Sequence, residues 1–86
     1  FTDFLRFVED VTLAGLEARL ARALLRLQGP DGLVHATHET LAREAGSARE
    51  AVSRQLAAFR QQGLVEMGRG HVRIRATARL AALVDR

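Results

Sequence analysis

THETLAREAGSAREAVSRQLAAFRQQG, residues 37–63, holds two helical patterns separated by a single glycine. Thr37 can cap a first helix expected over 38–45, with Leu41, Ala42 and Ala45 facing inward. Gly46 stops that helix. Ser47 starts a second one, with Glu50 three residues later in a capping-box pattern. This second helix is expected over residues 47–62, and Gly63 supplies its C-terminal stop. Two short helices joined by a tight glycine turn outline a helix-turn-helix.

A helical wheel at roughly 100° per residue separates the second helix into two faces. With Arg49 at zero, Ala48, Val52, Leu56 and Phe59 crowd into an arc of roughly 260–340°. That arc is expected to pack on the preceding short helix. Arg60, Ser53, Glu50 and Arg54 fall between roughly 20° and 140°, beside the small Ala57 and Ala58. The plain reading of this polar face is solvated surface, with Glu50 and Arg54 as an i,i+4 pair of about 0.2–0.5 kcal/mol. The sharper reading is a helix that enters the major groove. That groove is only about 12 Å wide and admits a slender polar edge.

The flanking sequence weighs on that choice. Leu64–Met67, then Gly68-Arg69-Gly70, then His71–Arg75 reads as a β-hairpin with a glycine-flanked tip. Arg73 and Arg75 alternate with Val72 and Ile74, so they project from one face. Upstream, Phe1, Phe4, Val8 and Val11 follow the a/d rhythm of a helical seam. Leu16, Leu20, Leu24 and Leu27 mark one face of an amphipathic helix that Gly29-Pro30-Asp31-Gly32 ends. Leu33–Ala36 is short enough for either an extended connector or a strand. Thr77 can cap a last helix with Leu80, Leu83 and Val84 as its apolar stripe. The expected fold class is mainly α with a small β-hairpin, a winged helix-turn-helix in the order α-α-α-β-β-α.

Composition narrows the function. The 86 residues make one small domain, and 48% hydrophobic content allows a core without staples. The chain has no cysteine, so disulfides and thiolate metal sites are excluded. The longest stretch free of Asp, Glu and Arg runs only from Gly32 to His38. A membrane span needs about 20 apolar residues, and no basic-then-apolar signal segment opens the chain. A first residue Phe1 rather than Met suggests a processed chain or a fragment of a longer one. Residues 1–44 carry a balance of −2 and residues 45–86 a balance of +5. All thirteen basic residues are arginine. A GC-rich genome would explain the choice of Arg over Lys, but not the asymmetry. The C-terminal half presents a basic surface suited to a polyanion.

THETLAREAGSAREAVSRQLAAFRQQGLVEMGRGHVRI resembles the C-terminal DNA-binding domain of the Crp/Fnr family of bacterial transcription regulators. Gly46, Arg49-Glu50, Val52-Ser53-Arg54, Leu56 and Gly63-Leu64-Val65 carry the likeness. VEDVTLAGLEARLARALLRL resembles the family's linker and the first helix of that domain. Residues 1–11 are then the end of a dimerisation helix and linker, and residues 12–86 the winged helix DNA-binding domain. The resemblance implies base contacts in the major groove from Arg49, Glu50, Ser53 and Arg54. Arg forks onto guanine O6 and N7, and Glu accepts from cytosine N4. The Glu50-x-x-Ser53-Arg54 spacing is the Fnr-like form and implies a half-site with a TGA core. Thr37, Ser47, Arg69 and His71 match positions expected on the DNA backbone, with the wing over residues 64–75.

The resemblance further implies a bacterial, cytoplasmic protein that is a homodimer in its full-length parent. Its partners would be double-stranded DNA with inverted-repeat half-sites and, as a further candidate, RNA polymerase. The isolated piece is expected to be monomeric or weakly dimeric. Ala48 and Ala51 depart from the family's usual Ser and Thr, and Gln55 stands where an apolar residue is common. The effector-binding β-roll is not represented, so no cofactor is expected in this chain. His35-x-x-His38-Glu39 has metal-like ingredients, but its order is not that of the zinc hydrolases. Neither a metal site nor a catalytic residue is expected, and the chain does not read as an enzyme. The rival reading is a winged-helix protein–protein interaction module that offers the same face to an acidic partner.

Overall fold

The structure, a computed structural model, describes the backbone of residues 2–84 and the side chains of residues 15–84. Helix α1 spans Thr2–Leu27, strand β1 Leu33–Val34, α2 His38–Ala45, and α3 Arg49–Gln61. Strands β2 (Val65–Gly68) and β3 (His71–Ile74) form the hairpin, and α4 spans Thr77–Val84. The side chains of the Phe1–Val11 seam lie outside the described residues.

Leu33–Val34 resolves as a strand. It pairs antiparallel with β3, Leu33 opposite Arg73 and Val34 opposite Val72, giving a three-stranded sheet in the order β1-β3-β2. The strand exists because the Gly29–Gly32 turn folds back on the sheet. Gly29 N–H donates to Leu33 O at 2.9 Å, and Ile74 N–H donates to Gly32 O at 2.8 Å. The observed order is therefore α-β-α-α-β-β-α, with the wing widened by one short strand.

Leu16, Leu20 and Leu24 of α1 are buried together with Leu41, Ala42 and Ala45 of α2. Val52, Leu56 and Phe59 of α3 join them, as do Val34, Leu64, Val65, Val72, Ile74 and Leu80. Leu27, expected on the same stripe, is 37% exposed because α1 ends there, beyond the last layer of the core. Ala48, expected on the apolar arc of α3, is exposed because it precedes the helix.

Two helix ends use one device. Gly46 adopts the left-handed conformation (φ 67°). Its N–H donates to Arg43 O, and Ser47 N–H donates to Ala42 O at 2.9 Å. Gly63 (φ 75°) repeats the arrangement, with Leu64 N–H on Phe59 O at 3.0 Å. These are Schellman closures, and they satisfy carbonyls that each helix leaves open. A Cβ on Gly46 would meet nothing within 4 Å, so Gly46→Ala carries only the left-handed backbone penalty. Chemical denaturation is expected to show a loss of about 1–2 kcal/mol.

The expected capping box does not form. Ser47 is drawn into the closure of α2, so the chain enters α3 one residue later than the Ser-x-x-Glu pattern implies. Ala48 is the N-cap, extended at φ −74° and ψ 147°, with no side-chain capping bond. Thr37 does cap α2, its hydroxyl accepting from Thr40 N–H at 3.1 Å. Thr77 is the first residue of α4 rather than its cap, since Leu80 N–H donates to Ala76 O.

Candidate nucleic-acid interface

The outward side of α3 is built from the residues that the wheel separated. Arg49, Glu50 and Arg54 are exposed and Ser53 is half-buried. Together with Ala48 they line one shallow open concavity along the first half of the helix. Val52, Leu56 and Phe59 on the opposite side are fully buried, so the core sets the rotation of α3 about its axis. Gln55 is half-buried at the boundary between the two faces.

The charges on this face are uncommitted. Two ion pairs occur among the described residues, Arg26–Glu44 at 2.5 Å and Arg75–Glu66 at 2.8 Å, and neither involves α3. The i,i+4 pair of Glu50 and Arg54 is not made, and with Ala48 as N-cap Glu50 is not held by a capping box. A ligand approaching Arg49, Glu50 or Arg54 therefore displaces no intramolecular partner. The first N–H groups of α3 also lack a side-chain cap, which favours an anion at that end.

By contrast, four arginines outside α3 make contacts within the scaffold. Arg19 Nε donates to Ala45 O at 2.8 Å, and Arg26 pairs with Glu44, so α1 is tied to α2 twice. On the hairpin, Arg75 is taken by Glu66, and Arg73 reaches Asp31 O at 3.5 Å. Arg69 alone among the hairpin arginines has no such bond, and it stands exposed at the tip. Its tip is a two-residue loop, with Gly68 paired to His71 across it. Gly70 has φ 75° while Arg69 keeps a negative φ, the pattern of a type II turn.

Thr37 is exposed at the start of α2, and Ser47 is half-buried in the turn between α2 and α3. His71 is half-buried, and its ring lies against Gly68, where an added Cβ would sit 2.1 Å from Nε2. His35 is exposed. No group of three His, Cys, Asp or Glu side chains suited to a metal converges among the described residues. No described helix is long and apolar enough to cross a membrane. One contact was not anticipated: His38 Nδ1 lies 2.8 Å from Ser53 Oγ. No local pattern announces it, because fifteen residues and the packing of two helices separate the partners.

The Crp-like helix-turn-helix domain matches residues 18–83. The chain belongs to that family. The Crp-like domain is 45% identical over 64 residues to the cyclic AMP receptor protein of Thermus thermophilus, covering 72% of this chain and 30% of that protein. It superposes on the crystal structure of the Thermus thermophilus catabolite activator protein with a TM-score of 0.87 at 34% identity. That match covers 98% of this chain and 40% of the other. The CO-sensing protein from R. rubrum matches at a TM-score of 0.83 and 29% identity, over 95% of this chain and 42% of the other. The Crp-like domain thus spans less than half the length of these relatives. The fold is the Crp-type winged helix.

Proposed function

We propose that this Crp-like domain reads double-stranded DNA with α3 in the major groove and the hairpin on adjacent backbone. The observation that carries this reading is the set of unpaired side chains Arg49, Glu50 and Arg54 on one exposed face. Arg49 and Arg54 fork onto guanine edges, and Glu50 accepts from cytosine N4. Ser53 contributes a hydroxyl beside them. Thr37, Ser47, Arg69 and His71 fix the register by contacts to phosphate and sugar, which position the protein without specifying sequence. The preferred half-site contains a TGA core.

Residues 1–11 belong to a dimerisation helix and linker, and residues 12–86 to the DNA-binding domain. In a dimeric parent protein, two such domains meet inverted half-sites about 34–36 Å apart. RNA polymerase is a further partner of such an assembly, which works in the cytoplasm. No cofactor is assigned to this chain, which acts as a reader and performs no catalysis.

The test is affinity for the preferred half-site and for its single-base variants, measured across a salt series. Preference for one duplex that survives in high salt supports base readout. Equal affinity for every duplex would replace it with a purely electrostatic surface for acidic partners. Within the same series, Arg69→Ala is expected to weaken binding evenly across sequences. It should lower the slope of log affinity against log salt by about one unit, as loss of one phosphate contact does.

A further inference from the structure

His38 is the first residue of α2, half-buried, with Nδ1 2.8 Å from the Oγ of Ser53 on α3. Among the described residues this is the one side-chain hydrogen bond between the two helices. The rest of their contact is apolar, through Leu41, Ala42 and Ala45 against the buried side of α3. Ser53 is also one of the residues lining the concavity with Arg49, Glu50 and Arg54. The hydroxyl thus has one side committed to protein and another turned to the site.

A serine hydroxyl carries one hydrogen and two lone pairs, and an unheld rotor presents either to a base. That is why Ser is an ambivalent reader, able to serve donor or acceptor edges. A fixed imidazole nitrogen narrows the ambivalence, because it occupies either the hydrogen or one of the lone pairs. Where Nδ1 accepts, the Ser53 hydrogen is spent on the ring, and lone pairs alone face the groove. These suit the amino groups of cytosine or adenine. Where Nδ1 carries the hydrogen, Ser53 spends one lone pair on the ring and keeps its own hydrogen for guanine O6 or N7, or thymine O4, so it can then serve as a donor. In both cases the ring decides what the hydroxyl offers and holds its rotamer.

We infer that His38 is a specificity-determining positioning residue, which sets through Ser53 what α3 presents to one base pair. The inference rests on the proposed insertion of α3 in the major groove.

The test uses the 86-residue chain on duplexes carrying one half-site, each base pair replaced in turn, with helical content checked by circular dichroism. His38→Ala is expected to relax discrimination about two- to tenfold, the span of one neutral hydrogen bond. The relaxation should fall at the base pair that Ser53→Ala relaxes, and His38→Ala should add nothing in a Ser53→Ala background. His38→Asn, which keeps a polar atom near the place of Nδ1, should retain most of the discrimination. Even weakening on all duplexes, or relaxation at a different base pair from Ser53→Ala, would leave His38 a structural residue only and overturn the inference. Arg54→Ala separates the two levels. If it relaxes its own base pair while His38→Ala relaxes none, the positioning role fails and groove reading stands. If Arg54→Ala relaxes none either, groove reading itself fails and the inference falls with it.

Discussion

Arg54→Ala is expected to weaken binding to the preferred half-site by about 1–3 kcal/mol, roughly five- to 150-fold. The loss should concentrate at one base pair: duplexes already altered there bind the variant and the parent alike, while discrimination elsewhere persists. Arg49→Ala should behave in the same way at a different base pair. The size follows from geometry, since a bidentate guanidinium loses two directed bonds at once. Both side chains are exposed and make no ion pair, so stability should change by no more than about 0.5 kcal/mol. Thermal unfolding of each variant checks that half of the expectation, and binding to the half-site variants checks the other. A uniform loss on every duplex would mean that the two arginines act as charge alone.

Phe59→Ala, on the opposite side of the same helix, is expected to cost about 3–5 kcal/mol of folding stability. Phe59 is fully buried, and its carbonyl takes the Leu64 N–H that closes α3. For an 86-residue chain the whole stability is on the order of 4–13 kcal/mol. The variant therefore forfeits much of it and should lose binding to all duplexes together, as the fold goes. Phe59→Leu keeps an apolar side chain of useful volume and should retain both fold and base preference. Urea denaturation followed by circular dichroism measures the difference; an unchanged midpoint for Phe59→Ala would contradict the packing described. Arg54 and Phe59 thus mark an exposed side and a holding side of one helix.

Much of this division is legible along the chain. The spacing of Val52, Leu56 and Phe59 against Arg49, Glu50 and Arg54 follows from 3.6 residues per turn, and the buried and exposed faces obey it. Thr37 and Gly46 also act as read, because a cap and a left-handed stop are local devices. Ser47 shows where locality runs out. Its position three residues before Glu50 fits a capping box, yet the closure of α2 claims its N–H first. The consequence is direct: Glu50, otherwise half-explained as a capping partner, is left exposed and uncommitted on the outward face. Arg73 and Arg75 project outward as alternation requires, but each then finds an acceptor that depends on the register of the sheet.

The sequence by itself determined the helix-turn-helix, the hairpin with Arg69 at its tip, and the residues on the outward face of α3. Those depend on periodicity and on turn chemistry, which act over a few neighbours. Only the tertiary structure decided that Leu33–Val34 joins the sheet and that the scaffold arginines are engaged while those on α3 stay free. It also decided that His38 reaches Ser53. Each is a meeting of groups far apart along the chain, and their distance is set by how the buried faces pack.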